Sequence, residues 1–363
     1  NGNFLAMYGE LRVEDTPSLA SGILVYDLQY ANLTVAGQNQ PMKLEESDHI
    51  VGISRSAVNQ ESAQILFNFD GSLLGEMDTE RIVLRLYELR RQGDGPPTVE
   101  SSKVFSFEQA PPCDDDPRTS LPSCDPAQIQ ETMVAFTISH EDLIVLGSNT
   151  NVPTYLLNRC FSNQVCHDFN GYRLRIMDRD LNPVGNMIER GVNNSLYLPG
   201  ENSQYVPGGG LATAANGTLL AVASSSYPRR DFPFGQDETV KYEVQVYQLE
   251  NSTWSPLGPA LRGSIDGNDQ FGGSISFNDD GTLLAIGAGN DNINSEGAGR
   301  VSIYEFDESL GEWIPFSDDL LGSTTSAFGS SITLDRTGSQ LVVGAPESDR
   351  KGSRSGEAFL YNL

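Results

Sequence analysis

Three histidines and many carboxylates are the residues of this chain that could do acid–base chemistry. His49, His140 and His167 are its only histidines. His140 lies in residues 139–142, a segment with the composition of a hairpin turn, which favours a solvated turn residue over a general base. No histidine adjoins a Gly-x-Ser-x-Gly motif, and the chain has no Walker loop, dinucleotide fingerprint or His-Glu-x-x-His. We therefore expect that the protein is not an enzyme.

The carboxylates dominate the charge of the chain. Its 363 residues include 49 Asp and Glu against 23 Lys and Arg, a formal net charge of −26. This excess excludes a protein that binds nucleic acid through a positive electrostatic potential of its own, because neutralising phosphates requires clustered Lys and Arg. With so many acids, no glycosidase pair can be selected from the sequence. The longest apolar runs, such as residues 219–223, are only strand-sized, so we predict no membrane span in this segment.

The four cysteines fall into two close pairs. Four cysteines allow three connectivities, and we favour Cys113 with Cys124 and Cys160 with Cys166. Neither pair has the Cys-x-x-Cys spacing of a zinc or redox site. The pairs therefore favour an oxidising compartment, as in secreted and cell-surface proteins.

Four Asn-x-Ser/Thr sequons point to the same location. We predict glycosylation there, with unmodified surface asparagines as the alternative. The sequons begin at Asn32, Asn193, Asn216 and Asn251.

A repeat of 57 residues supplies the elements that would position any site. Residues 271–288 align with residues 328–345, and eight of the eighteen positions are identical. Each segment predicts a strand, a tight turn with glycine and a short apolar strand ending in Gly-Ala, which together form a β-hairpin. Residues 300–306 predict a third strand and residues 312–316 a fourth. Four strands in one unit are typical of a propeller blade.

Corresponding segments extend the repeat towards the start of the chain. Apolar runs predicted as second strands lie at residues 5–9, 64–67, 143–147, 219–223, 284–287 and 341–344. We therefore predict an all-β fold, a β-propeller of six visible four-stranded antiparallel blades. A seventh blade, within residues 109–130, stays open as an alternative.

One propeller domain is predicted over residues 1–363, as part of a longer chain. A Cys/Pro/Asp-rich insertion is expected at residues 109–129. The predicted blades cover approximately residues 1–40, 45–108, 130–190, 205–262, 268–323 and 326–363.

Two motifs of the repeat resemble a known family. Phe-Gly at residues 271–272 and 328–329, followed by Gly-Ala at 287–288 and Gly-Ala-Pro at 344–346, resemble the FG-GAP repeats of integrin α-chain propellers and related large secreted proteins. The motif is specific in the last two units and degenerate in residues 208–223. The resemblance implies an extracellular or cell-surface propeller that contacts proteins or glycans, often with calcium in its blade loops.

The calcium sites of that family look like Asp-x-Asp-x-Asp-Gly, an oxygen-rich loop suited to a hard cation. The nearest runs here are residues 266–269, 278–281 and 290–296, and the second is more simply a hairpin turn. If calcium binds, Asp291, Asn292 and Glu296 are its best candidate ligands. Turn chemistry is the favoured interpretation.

These observations predict a non-enzymatic interaction or adhesion module that binds protein or glycan partners through its blade loops. Two alternatives stay open. One is a structural subunit of an extracellular filament or surface assembly. The other is a propeller hydrolase or lyase acting on polysaccharide, with residues of several blades converging on the axis.

Overall fold

A computed structural model gives the architecture. It describes residues 4–12, 19–27, 49–54, 63–68, 71–78, 83–91, 97–106, 130–139, 141–151, 169–190, 196–197, 210–214, 216–226, 241–264 and 269–363. Every regular element in these ranges is a β-strand. The predicted all-β fold class is confirmed. The chain divides into two compact units, Asn1–Ser106 and Phe107–Leu363, and the prediction of a single domain stays a prediction.

The first unit contains two antiparallel sheets, with strand orders β1-β2-β3 and β4-β5-β6-β7. Its strands are β1 (Phe4–Arg12), β2 (Leu19–Asp27), β3 (His49–Ser54), β4 (Ala63–Phe67), β5 (Leu73–Asp78), β6 (Val83–Arg91) and β7 (Pro97–Ser106). Since β3 pairs with β2, the first sheet extends beyond the predicted blade end at residue 40. Residues 64–67 were expected to form a second strand, and this was wrong. They belong to β4, the first strand of its sheet, and β5 is the second.

The second unit contains four sheets that follow one another along the chain. Its first sheet consists of β8 (Gln130–Ile138), β9 (Ile144–Asn151), β10 (Phe169–Met177) and β11 (Ile188–Arg190). Its second sheet consists of β12 (Leu196–Tyr197), β13 (Leu211–Thr213), β14 (Leu219–Ser226), β15 (Lys241–Glu250), β16 (Thr253–Pro256) and β17 (Leu261–Arg262). Its third sheet consists of β18 (Phe271–Phe277), β19 (Leu283–Ala288), β20 (Arg300–Asp307), β21 (Glu312–Pro315) and β22 (Leu320–Leu321). Its fourth sheet consists of β23 (Ser331–Leu334), β24 (Gln340–Ala345) and β25 (Glu357–Asn362). The predicted third strand β20 and fourth strand β21 are confirmed. Antiparallel order along successive four-stranded sheets is the topology of propeller blades.

The hairpin turns repeat one local device. The residue after the first strand accepts a backbone hydrogen bond from the start of the second strand. Asn278 Oδ1 accepts from Leu283 N at 2.9 Å, and Asp335 Oδ1 accepts from Gln340 N at 2.7 Å. Asn68 Oδ1 accepts in the same way from Leu73 N, at 2.9 Å. Short polar side chains of this kind stabilise tight turns because they replace a backbone partner.

The apolar core of the second unit lies between successive sheets. Val145 and Leu174 pack with Val222, Val246 packs with Ile286, and Ile303 packs with Val343 in three successive clusters. Burying such side chains is the main stabilising contribution, at about 25 cal/mol per Å² of apolar surface. The core thus positions each sheet against the next.

The Phe-Gly motif fits this packing. Phe271 and Phe328 are 1% and 2% exposed, and the glycine after each has φ 87°. A Cβ at Gly329 would lie 2.6 Å from Arg300 O of the preceding sheet. Glycine is required here both for its positive φ and for the close approach of the two sheets.

Candidate interaction surface

The loop between β19 and β20, residues 289–299, contains all three predicted calcium ligands. We call it the Asp291 loop. It begins just after the Gly-Ala of the second strand and ends at Arg300, the first residue of β20. The equivalent loop of the last repeat, residues 346–356, joins β24 to β25.

Arg300 holds the base of the Asp291 loop. Its Nε lies 3.0 Å from Asp291 Oδ2, its Nη1 lies 3.0 Å from Asp319 Oδ2, and its Nη2 lies 3.8 Å from Asp269 Oδ2. The guanidinium carbon is 5.9 Å from the centroid of the Phe271 ring. The side chains of Arg300, Asp269 and Asp291 are 12%, 2% and 1% exposed. One cation therefore compensates three carboxylates, two of which have almost no access to water.

Burial and charge act on these groups in opposite directions. Burial raises the pKa of Asp269, and the neighbouring charge of Asp291 adds to this, while hydrogen bonds from the Ser264 and Phe271 N–H groups and the charge of Arg300 lower it. The net result is a raised pKa. Burial lowers the pKa of Arg300, but the Asp319 hydrogen bond and the charge of Asp291 outweigh it, and its pKa is raised. The guanidinium is therefore charged at all physiological pH values.

The far end of the Asp291 loop is hydrogen-bonded to the segment that leads into the last repeat. Thr325 N donates to Glu296 O at 2.9 Å, and Ala327 N donates to Gly297 O at 3.0 Å. Asn294 Nδ2 donates to Gly322 O at 2.8 Å. The loop is therefore fixed at both ends to neighbouring backbone.

The tip of the loop presents side chains to solvent. Ile293 is 67% exposed, and Asn292 and Glu296 are exposed beside it in the sequence. At the same end of the next sheet, Arg350 and Arg354 are also exposed, at 74% and 76% of their side-chain surface. The exposed side chains at this end of the two sheets thus include an apolar group, carboxylate and amide groups, and cations.

Two of the three predicted calcium ligands, Asp291 and Asn292, accept hydrogen bonds from the chain itself, and calcium binding stays a prediction. Asp291 Oδ1 accepts from Ile293 N at 2.7 Å, and Asp291 Oδ2 accepts from Arg300 Nε. Asn292 Oδ1 accepts from Gly297 N at 2.7 Å. Calcium requires about six to eight oxygens directed at one point, and no group of three His, Cys, Asp or Glu that could hold a metal occurs among the described residues. Arg300 supplies the positive charge at this loop.

The other predicted site residues are dispersed. Asn216 and Asn251 lie exposed in hairpin turns, and Asn216 Oδ1 accepts from Thr218 N and Oγ1 of its own sequon at 3.0 and 2.9 Å. His49 begins β3. The remaining predicted site residues and histidines lie outside the described residues, namely Asn32, Asn193, Cys113, Cys124, Cys160, Cys166, His140 and His167.

Sequence reasoning missed Arg300, although a signal was present. It is the only Lys or Arg between Arg262 and Arg336, in a stretch rich in acids. A lone cation among carboxylates, at the start of a strand and after a glycine-rich loop, is a strong candidate for an internal ion pair. Its partners Asp269 and Asp319 could be chosen only from the fold.

Comparison with known proteins supports the repeat. Residues 322–361 match the FG-GAP repeat family, which confirms the resemblance for the last repeat. No curated protein matches the chain in sequence. No helix among the described residues has the length and apolar character that crossing a bilayer requires.

Several solved structures are similar at low identity. The Kuenenia stuttgartiensis hydrazine synthase is 11% identical with a TM-score of 0.49, covering 95% of this chain and 80% of that one. The Kluyveromyces lactis Hsv2p is 10% identical with a TM-score of 0.42, covering 91% and 68%. The β-propeller domain of Myceliophteria thermophila Cps50 (Swd1) is 10% identical with a TM-score of 0.39, covering 98% and 100%.

Proposed function

We propose that this protein is a non-enzymatic interaction module of the cell surface or extracellular space, and that it binds a protein partner through the Asp291 loop and the neighbouring loop of the last repeat. The observation that carries the proposal is the construction of the Asp291 loop. Its buried carboxylate, Asp291, pairs with Arg300 inside the protein, while the tip around Ile293 is exposed on a loop that hydrogen bonds hold in place. A pre-ordered loop loses little conformational entropy on binding.

A protein partner is favoured over a glycan by the exposed Ile293. An aliphatic side chain gains most from burial in an apolar pocket of a partner, whereas sugars are held mainly through hydrogen bonds and aromatic faces. The exposed Arg350 and Arg354 would add charge complementarity to an acidic partner surface. A glycan partner is the alternative, and binding to immobilised glycans that survives Ile293→Asp would favour it.

The direct test places a photo-crosslinking amino acid at Ile293 in the native host. Leu310 offers a matched control because it is equally apolar and 64% exposed but lies in the hairpin turn between β20 and β21. We expect one protein to crosslink at position 293 and not at position 310, and Ile293→Asp to abolish its binding. Equal crosslinking at both positions would contradict the proposed surface.

The extracellular location is supported by the two exposed sequons in turns, since accessible asparagines of this kind are good acceptors for N-glycans. Native protein should lose mass on treatment with an N-glycosidase, and Asn216→Gln and Asn251→Gln should each remove one glycan. Labelling of intact cells with a membrane-impermeant biotin reagent should reach the protein. Unglycosylated native material that escapes such labelling would refute the location.

A further inference from the structure

The Asp291 loop and its equivalent in the last repeat share one hydrogen-bonded backbone. We call the second, residues 346–356, the Arg350 loop. In the Asp291 loop, Gly299 N donates to Asp291 O at 3.0 Å. In the Arg350 loop, Gly356 N donates to Ser348 O at 3.1 Å, and this donor and acceptor each lie 57 positions further along the chain. The two loops therefore close in the same way before their third strands.

A hydrogen bond to a side chain inside each loop is repeated as well. Gly297 N donates to Asn292 Oδ1 at 2.7 Å. At the equivalent positions, Arg354 N donates to Asp349 Oδ1 at 2.6 Å. Gly297 and Arg354 have φ 58° and 47°, although only the first is a glycine. A non-glycine residue keeps such a conformation where the surrounding structure holds it, so the Arg350 loop has the same backbone despite its different sequence.

One residue between the loops fixes them to each other. Ser326 Oγ donates to Ala298 O of the Asp291 loop at 2.8 Å. The carbonyl oxygen of Ser326 accepts from Glu347 N of the Arg350 loop at 3.2 Å. The two loops therefore hold a fixed relative position at one end of neighbouring sheets.

The tips of the two loops differ in chemistry. Ile293 and Arg350 occupy equivalent positions, and they are 67% and 74% exposed. Ile293 is exposed although the segment that follows its sheet is in place, with Thr325 N donating to Glu296 O at 2.9 Å. Exposure at this position is therefore a property of the loop, in the third sheet as in the fourth.

Neither tip side chain is needed for the shape of its loop. Ile293 contributes its backbone N–H, which donates to Asp291 Oδ1 at 2.7 Å. Arg350 Nη1 lies 3.8 Å from Glu357 Oε1, a long contact for a mostly exposed cation, and such pairs contribute little to stability. The side chain at this position can therefore be exchanged while the backbone of the loop is kept.

We propose that the position shared by Ile293 and Arg350 determines partner specificity, and that the partner is an extended protein segment with an apolar side chain against Ile293 and a carboxylate against Arg350. This inference rests on the proposed function, because it uses the same two loops. A guanidinium can donate two parallel hydrogen bonds to one carboxylate. Successive repeats present their equivalent side chains along one extended surface.

A long polyanion suits this surface less well than an acidic protein segment. The chain has a net charge of −26, which repels an extended sulfated glycan or nucleic acid beyond the immediate contact. Such a ligand would also leave Ile293 uncovered. A short segment that combines one or two carboxylates with an apolar residue uses both tips.

Selection from a phage-displayed library of random linear peptides tests the proposal. The immobilised full chain is the target, and the selected peptides are sequenced. We expect enrichment of peptides that combine Asp or Glu with an aliphatic or aromatic residue. Ile293→Arg should instead select peptides with more acidic residues and fewer apolar ones. Arg350→Ile should select apolar peptides without the acidic residue.

The hairpin turns at the other end of the sheets offer matched controls. Leu310 is 64% exposed and the side chain of Arg336 is 65% exposed. Leu310→Arg and Arg336→Ile make the same two exchanges there, and they should leave the composition of the selected peptides unchanged. Circular dichroism of all four variants checks that they are folded.

A change in the peptide gives a test that needs no folded loop variant. A selected peptide is labelled with fluorescein and titrated with the full chain, and binding is followed by fluorescence anisotropy. Replacing its acidic residue by the amide, Glu→Gln or Asp→Asn, should weaken binding about tenfold, as loss of a charge-assisted hydrogen bond does. The same replacement should have little effect on binding to Arg350→Ile.

Three outcomes would overturn the proposal. They are a wild-type chain that enriches no peptides of this kind, selected peptides whose composition ignores both loop exchanges, and an amide replacement that leaves the affinity unchanged. Crosslinking of one protein at position 293 together with any of these would refute this inference and leave the proposed surface standing. Loss of position-specific crosslinking would refute the proposed function itself.

Discussion

The last two repeats share their backbone geometry but differ in the chemistry that joins each sheet to its loop. Asp269, Asp291 and Arg300 of the first correspond, 57 residues later, to Ser326, Ser348 and Glu357. Where the first repeat uses an ion network, the second uses hydroxyls. Ser326 Oγ donates to Ala298 O at 2.8 Å, and Ser348 Oγ donates to Glu357 Oε2 at 2.7 Å. The Phe-Gly and Gly-Ala positions are thus common to both repeats, whereas hydroxyl hydrogen bonds in the second repeat take the place of the ion network in the first.

The two repeats also differ in what covers them. Ala285 and Ile303 of the β18–β22 sheet are 0% and 1% exposed because the last sheet packs on them. Their equivalents in the last sheet, Val342 and Leu360, are 45% and 63% exposed. The same repeat position is therefore core in one sheet and surface in the next.

The largest predicted difference concerns Arg300 and Glu357. Arg300→Ala leaves Asp269 and Asp291 buried without their cation, which should destabilise the protein by about 3–5 kcal/mol. Glu357→Ala removes a carboxylate held by a hydroxyl and a mostly exposed arginine, so it should cost only about 1 kcal/mol. Urea unfolding followed by circular dichroism measures both. Equal costs would mean that the ion network is no more important than its hydroxyl counterpart.

The second prediction concerns packing at Ile303 and Leu360. Ile303→Ala should cost about 3 kcal/mol, because it leaves a cavity between two sheets. Leu360→Ala should change the stability by less than about 0.5 kcal/mol, as exposed substitutions usually do. The midpoints of thermal unfolding distinguish these results. A large loss in Leu360→Ala would show that its side chain is buried in solution by a sheet or partner.

The third prediction compares two glycines that precede the third strands. Gly299 has φ 79°, and a Cβ there would clash with backbone atoms of Phe328. Gly356 has φ 68°, but its Cβ would lie 3.3 Å from the nearest atom, Pro346 O. Gly299→Ala should therefore cost about 2–3 kcal/mol and Gly356→Ala about 1 kcal/mol. Similar values for the two variants would imply that the sheets can separate at Gly299.

The smallest predicted effect is the acid sensitivity of the last hairpin turn. Hydrogen bonds from Gln340 N and Thr337 Oγ1 lower the pKa of Asp335 below its usual value of 3.8. A lowered pKa contributes stability above pH 3.8 that is lost as the pH falls through the folded-state pKa. Asn278, at the equivalent position, does not titrate. Asp335→Asn should make acid unfolding less steep, and Asn278→Asp should make it steeper, in a pH titration of the circular dichroism signal. Unchanged acid profiles would contradict this role.

Much of the fold could be predicted from the sequence because the repeat consists of residues with strong preferences for particular turns and strands. The turn residues at 278–281 and 335–338, the Phe-Gly motifs and the fourth-strand segment at residues 312–316 all predicted their elements. The prediction for residues 64–67 was wrong because a short apolar run looks the same in a first strand as in a second. The true second strand, β5, contains Glu76, which is fully buried and accepts a hydrogen bond from Tyr87 at 3.0 Å. A strand with a buried carboxylate lacks the apolar pattern from which strands are predicted.

The candidate site was only partly predictable. The sequence indicated the loop around Asp291, Asn292 and Glu296, with turn chemistry as the favoured interpretation and calcium ligation as the alternative. In the fold the side-chain oxygens of Asp291 and Asn292 accept hydrogen bonds from Ile293, Gly297 and Arg300. The loop sequence cannot reveal this, because two partners of Arg300, Asp269 and Asp319, lie 31 and 19 residues away along the chain.

The sequence by itself determined the all-β class, the 57-residue repeat and the strand pattern within each unit, because turn residues and alternating apolar side chains act over a few neighbouring positions. Only the tertiary structure decided which equivalent positions are buried and which charges meet. Those properties depend on what packs across each sheet and at each loop. Identical repeat positions such as Ile303 and Leu360 therefore have opposite environments.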